Sequence, residues 1–82
     1  MRNDKTRYLI LLSMIELELN KQGLTINNYT DSYFKADSKT FIIKLENTYN
    51  KNYSCKFSGI IRDGFLCLYS SNGNFLNCTK NI

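Results

Sequence analysis

Apolar residues are distributed along the chain in two ways. Tyr8-Leu9-Ile10-Leu11-Leu12-Ser13-Met14-Ile15-Glu16-Leu17-Glu18-Leu19 is the densest run, and after Gly23 the pattern switches to short stretches that alternate with polar residues. The dense run predicts one helix over residues 4–22. Asn3 or Asp4 can cap its start by accepting an orphan backbone N–H, and Gly23 can end it in the left-handed conformation with Lys21 near the negative end of the dipole. At about 100° per residue, Tyr8, Leu11, Leu12, Ile15 and Leu19 share one side, and Ile10, Met14 and Leu17 form a second row nearly opposite. Only the sector of Ser13, Glu16 and Asn20 is polar. A helix that is apolar on two sides is normally covered on two sides. Either a curved sheet and the loops cover both, or Ile10, Met14 and Leu17 face a second copy of the chain or another protein.

Beyond Gly23 the alternation predicts short strands over 24–27, 33–36, 40–46, 53–61, 65–69 and 75–78. In 40–46, Phe41, Ile43 and Leu45 point one way and Thr40, Ile42, Lys44 and Glu46 the other. In 53–61, Tyr53, Cys55 and Phe57 point inward, and Gly59 reads as a bulge. Asp63-Gly64 and Asn72-Gly73 are hairpin turns, and Asp37-Ser38-Lys39 is a turn held by short polar side chains. Residues 65–69 are all apolar or aromatic, which suits a central strand covered on both faces or one that offers Leu66 and Leu68 to a partner as an outer face. Helix first and hairpin-linked strands afterwards make an α+β domain: one N-terminal helix packed on an antiparallel β-meander of four to six strands.

At 82 residues this is a single domain, 1–82. A core of that size supports roughly 3–5 kcal/mol of net stability, and oligomerisation is a common remedy for a thin core. With 43% hydrophobic and 13% aromatic residues the chain is globular rather than disordered. Proline is absent, and the heavy use of asparagine, lysine and isoleucine reads as an AT-rich genome. The net charge of +4 is spread out, with four Lys/Arg against three Asp/Glu in residues 1–23 and seven against four in the rest. That is not the clustered charge of a dedicated nucleic-acid binder. The basic start and apolar run imitate a signal peptide, but Glu16 and Glu18 follow and no small-residue cleavage site does. The run also falls short of the ~20 apolar residues of a membrane span. A cytoplasmic protein without membrane attachment is expected. Its three cysteines, Cys55, Cys67 and Cys78, then read as reduced, small core residues.

Candidate chemistry is sparse. There is no histidine, so the commonest base and metal ligand is missing. Glu16 and Glu18 diverge on the helix, Asp31, Asp37 and Asp63 sit in turn-prone stretches, and no glycine spacing suits a phosphate loop. No enzymatic activity, cofactor or metal is expected. Two binding classes remain. Lys44, Lys56 and Arg62 on a solvent face, with Lys51 in the adjoining loop and Tyr29, Tyr33, Tyr49 and Tyr69 as stacking surfaces, would hold single-stranded nucleic acid without sequence readout. Glu46 and Asp63 make that face mixed rather than basic. Protein binding through Ile10, Met14 and Leu17 on the helix, or Leu66 and Leu68 on the sheet, is the stronger expectation. Short, catalytically empty, AT-biased reading frames are typical of viruses and mobile elements, whose small proteins often bind and block a host protein, defence complexes included. The reading is a small non-catalytic binding protein, a homodimer or part of a complex that masks the second helix row. A sequence-tolerant single-strand binder is the alternative, and a structural subunit of a larger assembly the weaker one.

Overall fold

The computed structural model describes residues 4–81. One helix, α1 (Asp4–Lys21), precedes five strands: β1 (Tyr29–Asp37), β2 (Thr40–Asn47), β3 (Cys55–Arg62), β4 (Phe65–Ser70) and β5 (Phe75–Lys80). The strands form one antiparallel sheet in the order β1-β2-β3-β4-β5, a meander with the helix packed on one face. The fold is therefore the α+β helix-on-meander arrangement that the hydrophobic pattern predicts. Asp4 opens the helix; the alternative cap, Asn3, lies outside the described residues.

The core is one cluster. Tyr8, Leu11, Met14, Ile15 and Leu19 of the helix meet Tyr29, Phe41, Ile43, Leu45, Phe57, Leu66 and Leu68 of the sheet. The inner rows follow from register. Asp31, Leu45 and Cys55 stand in line across β1, β2 and β3, as do Tyr33, Ile43 and Phe57. Asp63 (φ 52°) and Gly64 (φ 82°) make the two-residue turn into β4, with positive φ at both positions as a type I′ hairpin needs. That turn pairs Arg62 with Phe65 and sets Ile61 opposite Leu66.

Gly59 is not a bulge. It pairs in unbroken register with Phe41 on one side and Leu68 on the other. Its hydrogen is required by the helix instead: a Cβ there would lie 2.5 Å from Leu11 Cδ1 and 2.7 Å from Cδ2. The helix thus seats on bare backbone in the middle of the sheet, which brings its axis close and lets the sheet wrap it.

The wrapping is visible at the edges. Arg7 Nε donates to Asn81 Oδ1 (3.1 Å), just past edge strand β5. The neighbouring Tyr8 hydroxyl donates to the Asp31 carboxylate on the opposite edge strand, β1. Tyr8 also stacks on Tyr33 with ring centroids 4.1 Å apart, and Lys35 Nζ reaches Asp4 Oδ1 at 3.3 Å. Consecutive helix residues therefore hold the two edges of one sheet.

Three of the predicted strands differ from expectation. Residues 24–27 are not a strand: Leu24 caps the helix by donating to Leu19 O (3.0 Å), and Ile26–Asn28 form a 3₁₀ turn capped by Thr25. β1 is longer than the predicted 33–36, because Tyr29 is buried and Asp31 and Lys35, though polar, face inward onto Tyr8 and Asp4. The predicted 53–61 begins two residues late, at Cys55, since Lys51–Tyr53 turn as 3₁₀ and Tyr53 is left exposed. Buried Asn47 shapes that loop, its Oδ1 accepting from Tyr49 N (2.9 Å) and Asn50 N (2.8 Å).

Candidate docking face

The surface of interest is the side of the sheet away from the helix. Alternation aims the helix-facing residues one way and leaves the others to solvent. Register then builds a row across all five strands: Phe34, Ile42, Ser58, Tyr69 and Phe75. The next row is Thr40, Ile60, Cys67 and Cys78. Phe34 and Phe75, at the two ends of the first row, are 51% and 57% exposed. Phe65, also on this face, is exposed too. Together these rows make a largely apolar stripe, half-buried at its centre and open at its aromatic ends.

The stripe is internally ordered. Tyr69 and Phe75 meet edge to face, centroids 5.7 Å apart, an arrangement their ring quadrupoles favour. Arg62 Nη1 donates to the Tyr69 hydroxyl at 3.2 Å. At the other end, Lys44 Nζ lies 5.7 Å from the centre of the Phe34 ring, within cation–π range. Each flanking cation is thus already engaged with an aromatic of the same row.

The charged rim is uneven. Lys44, Lys56, Arg62 and Lys80 all lie on this face, with Glu46 and, past the irregularity in β1, Asp37 as the acids among the strand residues. Lys44 and Lys56 are directly opposite each other, a like-charge pair that the sheet tolerates only because both heads reach water. Beside them lies an open concavity of about 620 Å³, whose lining includes Thr30, Ser32, Glu46, Ser54 and Ser71. Lys51 sits apart from these residues, in the turn before β3.

The residues expected to meet a partner are dispersed. Leu66 and Leu68 are fully buried on the helix side, so they are withdrawn from the surface. The outward residues of β4 are Phe65, Cys67 and Tyr69. Met14 is also core, 5% exposed, because it sits only about 60° round the helix from Leu11 and the curved sheet covers that shoulder. Ile10 is half-buried against the same cluster. Leu17 alone of the predicted row is open, at 55%, with Leu9 exposed beside it on the helix. The aromatic ends Phe34 and Phe75 were not singled out from sequence. Phe34 carried no local signal: counted from the turn at Ser38-Lys39 it would pair with inward Ile43, and only the register shift between Lys35 and Asp37 sets it opposite Ile42 on the outer face.

The cysteines are not all core residues either. Cys55 faces inward, half-buried, and burial pushes its thiol pKa up. Cys67 is buried and Cys78 exposed, both on the outer face. Among the described residues, no three His, Cys, Asp or Glu side chains gather as a metal site would require, and no helix is long and apolar enough to cross a membrane. No protein-family model, curated protein or solved structure gives a significant match to this chain.

Proposed function

We propose that this chain is a non-catalytic binding protein that docks another protein on the open face of its sheet. One observation carries the reading: the row Phe34, Ile42, Ser58, Tyr69 and Phe75 crosses every strand and ends on an exposed aromatic at each edge. Rigid aromatics on a sheet give large contact area at low entropic cost, and interfaces are enriched in them. The partner is a different protein with an apolar centre and an acidic rim. A second copy fits this face less well, because its four cations outnumber its two acids and would meet their own kind. Occupying such a surface is how a small protein blocks a larger one. For a virus or mobile-element product, the target is a host factor such as a defence complex.

The test uses the immobilised chain in lysate of its source cells, beside a Phe34→Asp/Phe75→Asp variant and a Leu17→Lys variant. The expected result is one protein retained by the wild type and by Leu17→Lys and lost from the sheet variant, with far-UV circular dichroism unchanged. Identical retention by all three defeats the reading.

The like-charged Lys44/Lys56 pair beside the open concavity favours a second reading, single-stranded nucleic acid. Phosphate neutralisation makes such binding fall steeply with salt. Anisotropy of a labelled oligothymidylate, at low and high salt, decides it. Binding that disappears in Lys44→Ala/Lys56→Ala/Arg62→Ala replaces the protein reading with this one.

A further inference from the structure

Cys67 and Cys78 are directly opposite each other on β4 and β5. The hydrogen-bonding phase of this strand pair can be read from its end. Asn81 N donates to Gly64 O (2.9 Å), which makes 64/81 a hydrogen-bonded position of the ladder. Counting three places along an alternating antiparallel ladder makes Cys67/Cys78 a non-hydrogen-bonded pair. An independent observation agrees: the Cys78 N–H turns away from β4 and donates to the Asn77 side chain (2.8 Å). Pairs of this type bring their Cα atoms to about 4.5 Å with side chains on the same face, inside the ~4.4–6.8 Å that a disulfide spans. Cys55 has no part in this, since it lies on β3 and faces the helix.

We propose that Cys67 and Cys78 are a reversible dithiol–disulfide pair that takes a low-molecular-weight disulfide such as oxidised glutathione as its oxidant. Exposure sets the order of events. Cys78 is open and Cys67 only 8% exposed, so Cys78 meets the oxidant first. Its thiolate attacks one glutathione sulfur; that S–S bond breaks, and the departing glutathione thiolate takes up the proton lost by Cys78. Cys67 then attacks the Cys78 sulfur, and the second glutathione leaves with the proton from Cys67. Two protein thiols are oxidised to one disulfide, and one glutathione disulfide is reduced to two thiols. Burial, and secondarily the charge of Cys78, raises the Cys67 thiol pKa, which keeps Cys67 from reacting with oxidant ahead of its neighbour. The product staples edge strand β5 to β4 in the middle of the aromatic stripe.

The experiment equilibrates the reduced full chain in glutathione redox buffers and reads intact mass and alkylation of unfolded samples. The expected product is a monomer lacking two hydrogens with one alkylatable thiol, mapped by digestion to Cys55, and with a melting temperature raised by about 5–10 °C. Cys55→Ser closes the same bond; Cys78→Ser does not. Stable glutathionylation of Cys78 with Cys67 free, a bond between two chains, a bond involving Cys55, or no oxidation each overturns the proposal. The readout needs no partner, so its failure leaves the docking reading standing, and the reverse.

Discussion

Gly59→Ala is the most direct test of how the helix is seated. The new Cβ would meet Leu11 Cδ1 at 2.5 Å, Cδ2 at 2.7 Å and Cγ at 3.1 Å. Carbon atoms rest at about 3.5–4.0 Å, so the overlap approaches 1 Å. Leu11 has little room to retreat, being wholly buried in the central cluster. Overpacking of this kind costs about 1–3 kcal/mol. Alanine also restricts the unfolded chain, which returns about 0.4–1 kcal/mol. The net loss is about 1–2 kcal/mol, or about 5–15 °C in melting temperature for a domain of this size. Urea denaturation followed by circular dichroism measures it as a lower midpoint at unchanged slope. A double-mutant cycle supplies the sharper control. Leu11→Ala alone leaves a cavity and costs about 2–5 kcal/mol. In the double variant the methyl group added at position 59 occupies space the Leu11 branches vacated, so the combined loss falls short of the sum by about 1 kcal/mol or more. A Gly59→Ala protein as stable as wild type, or strict additivity in the cycle, refutes the close-approach account.

Tyr8 is held neutral by burial first and by the Asp31 carboxylate second, so its pKa is raised well above the ordinary 10.0. A raised folded-state pKa means its contribution is intact below about pH 10 and is lost as pH rises beyond it. In a spectrophotometric titration of tyrosinate, one phenol should ionise only with alkaline unfolding, and Tyr8→Phe should abolish that late step while costing about 1 kcal/mol at neutral pH; all six phenols titrating together would contradict this. Lys56→Thr removes the like-charge pair with Lys44 and places a good strand former, so stability should rise by about 0.2–1 kcal/mol at low salt and by less at high salt. An equal gain at both ionic strengths would mean the two ammonium groups do not repel.

The alternating strands and the two Gly-containing hairpins were legible because each depends on neighbours in sequence. The inward set Phe41, Ile43, Leu45 and Phe57 is the one the alternation picks out. Leu66 and Leu68 could not be assigned to a face from their own strand, because every residue of 65–69 is apolar or aromatic. A bulge at Gly59 would have reversed the parity between Phe57 and the hairpin; without one, Phe57 inward forces Ile61, Leu66 and Leu68 inward through the Asp63-Gly64 turn. Whether a strand glycine marks a bulge or a close neighbour is decided by what packs above it, and that neighbour, Leu11, belongs to the N-terminal helix. β1 was obscured for a related reason. Its inward Asp31 and Lys35 break the hydrophobic alternation, and their partners Tyr8 and Asp4 belong to the far end of the chain. The exposed aromatic row is equally non-local, since each strand contributes one residue and only the full register aligns them.

The grip of Arg7 and Tyr8 on the two sheet edges also orders the assembly of the molecule in time. Every strand pairing joins sequence neighbours, and hairpins of this kind close within about 1–10 μs. The bond from Arg7 to Asn81 bridges 74 positions and closes a loop almost as long as the chain. The helix is made before every strand and is the element whose docking site is finished last. Until the helix docks, Phe57, Leu66 and Leu68 lack the cover it gives them in the core. The most aggregation-prone moment of this protein is therefore the interval between a nearly complete sheet and the docking of its helix.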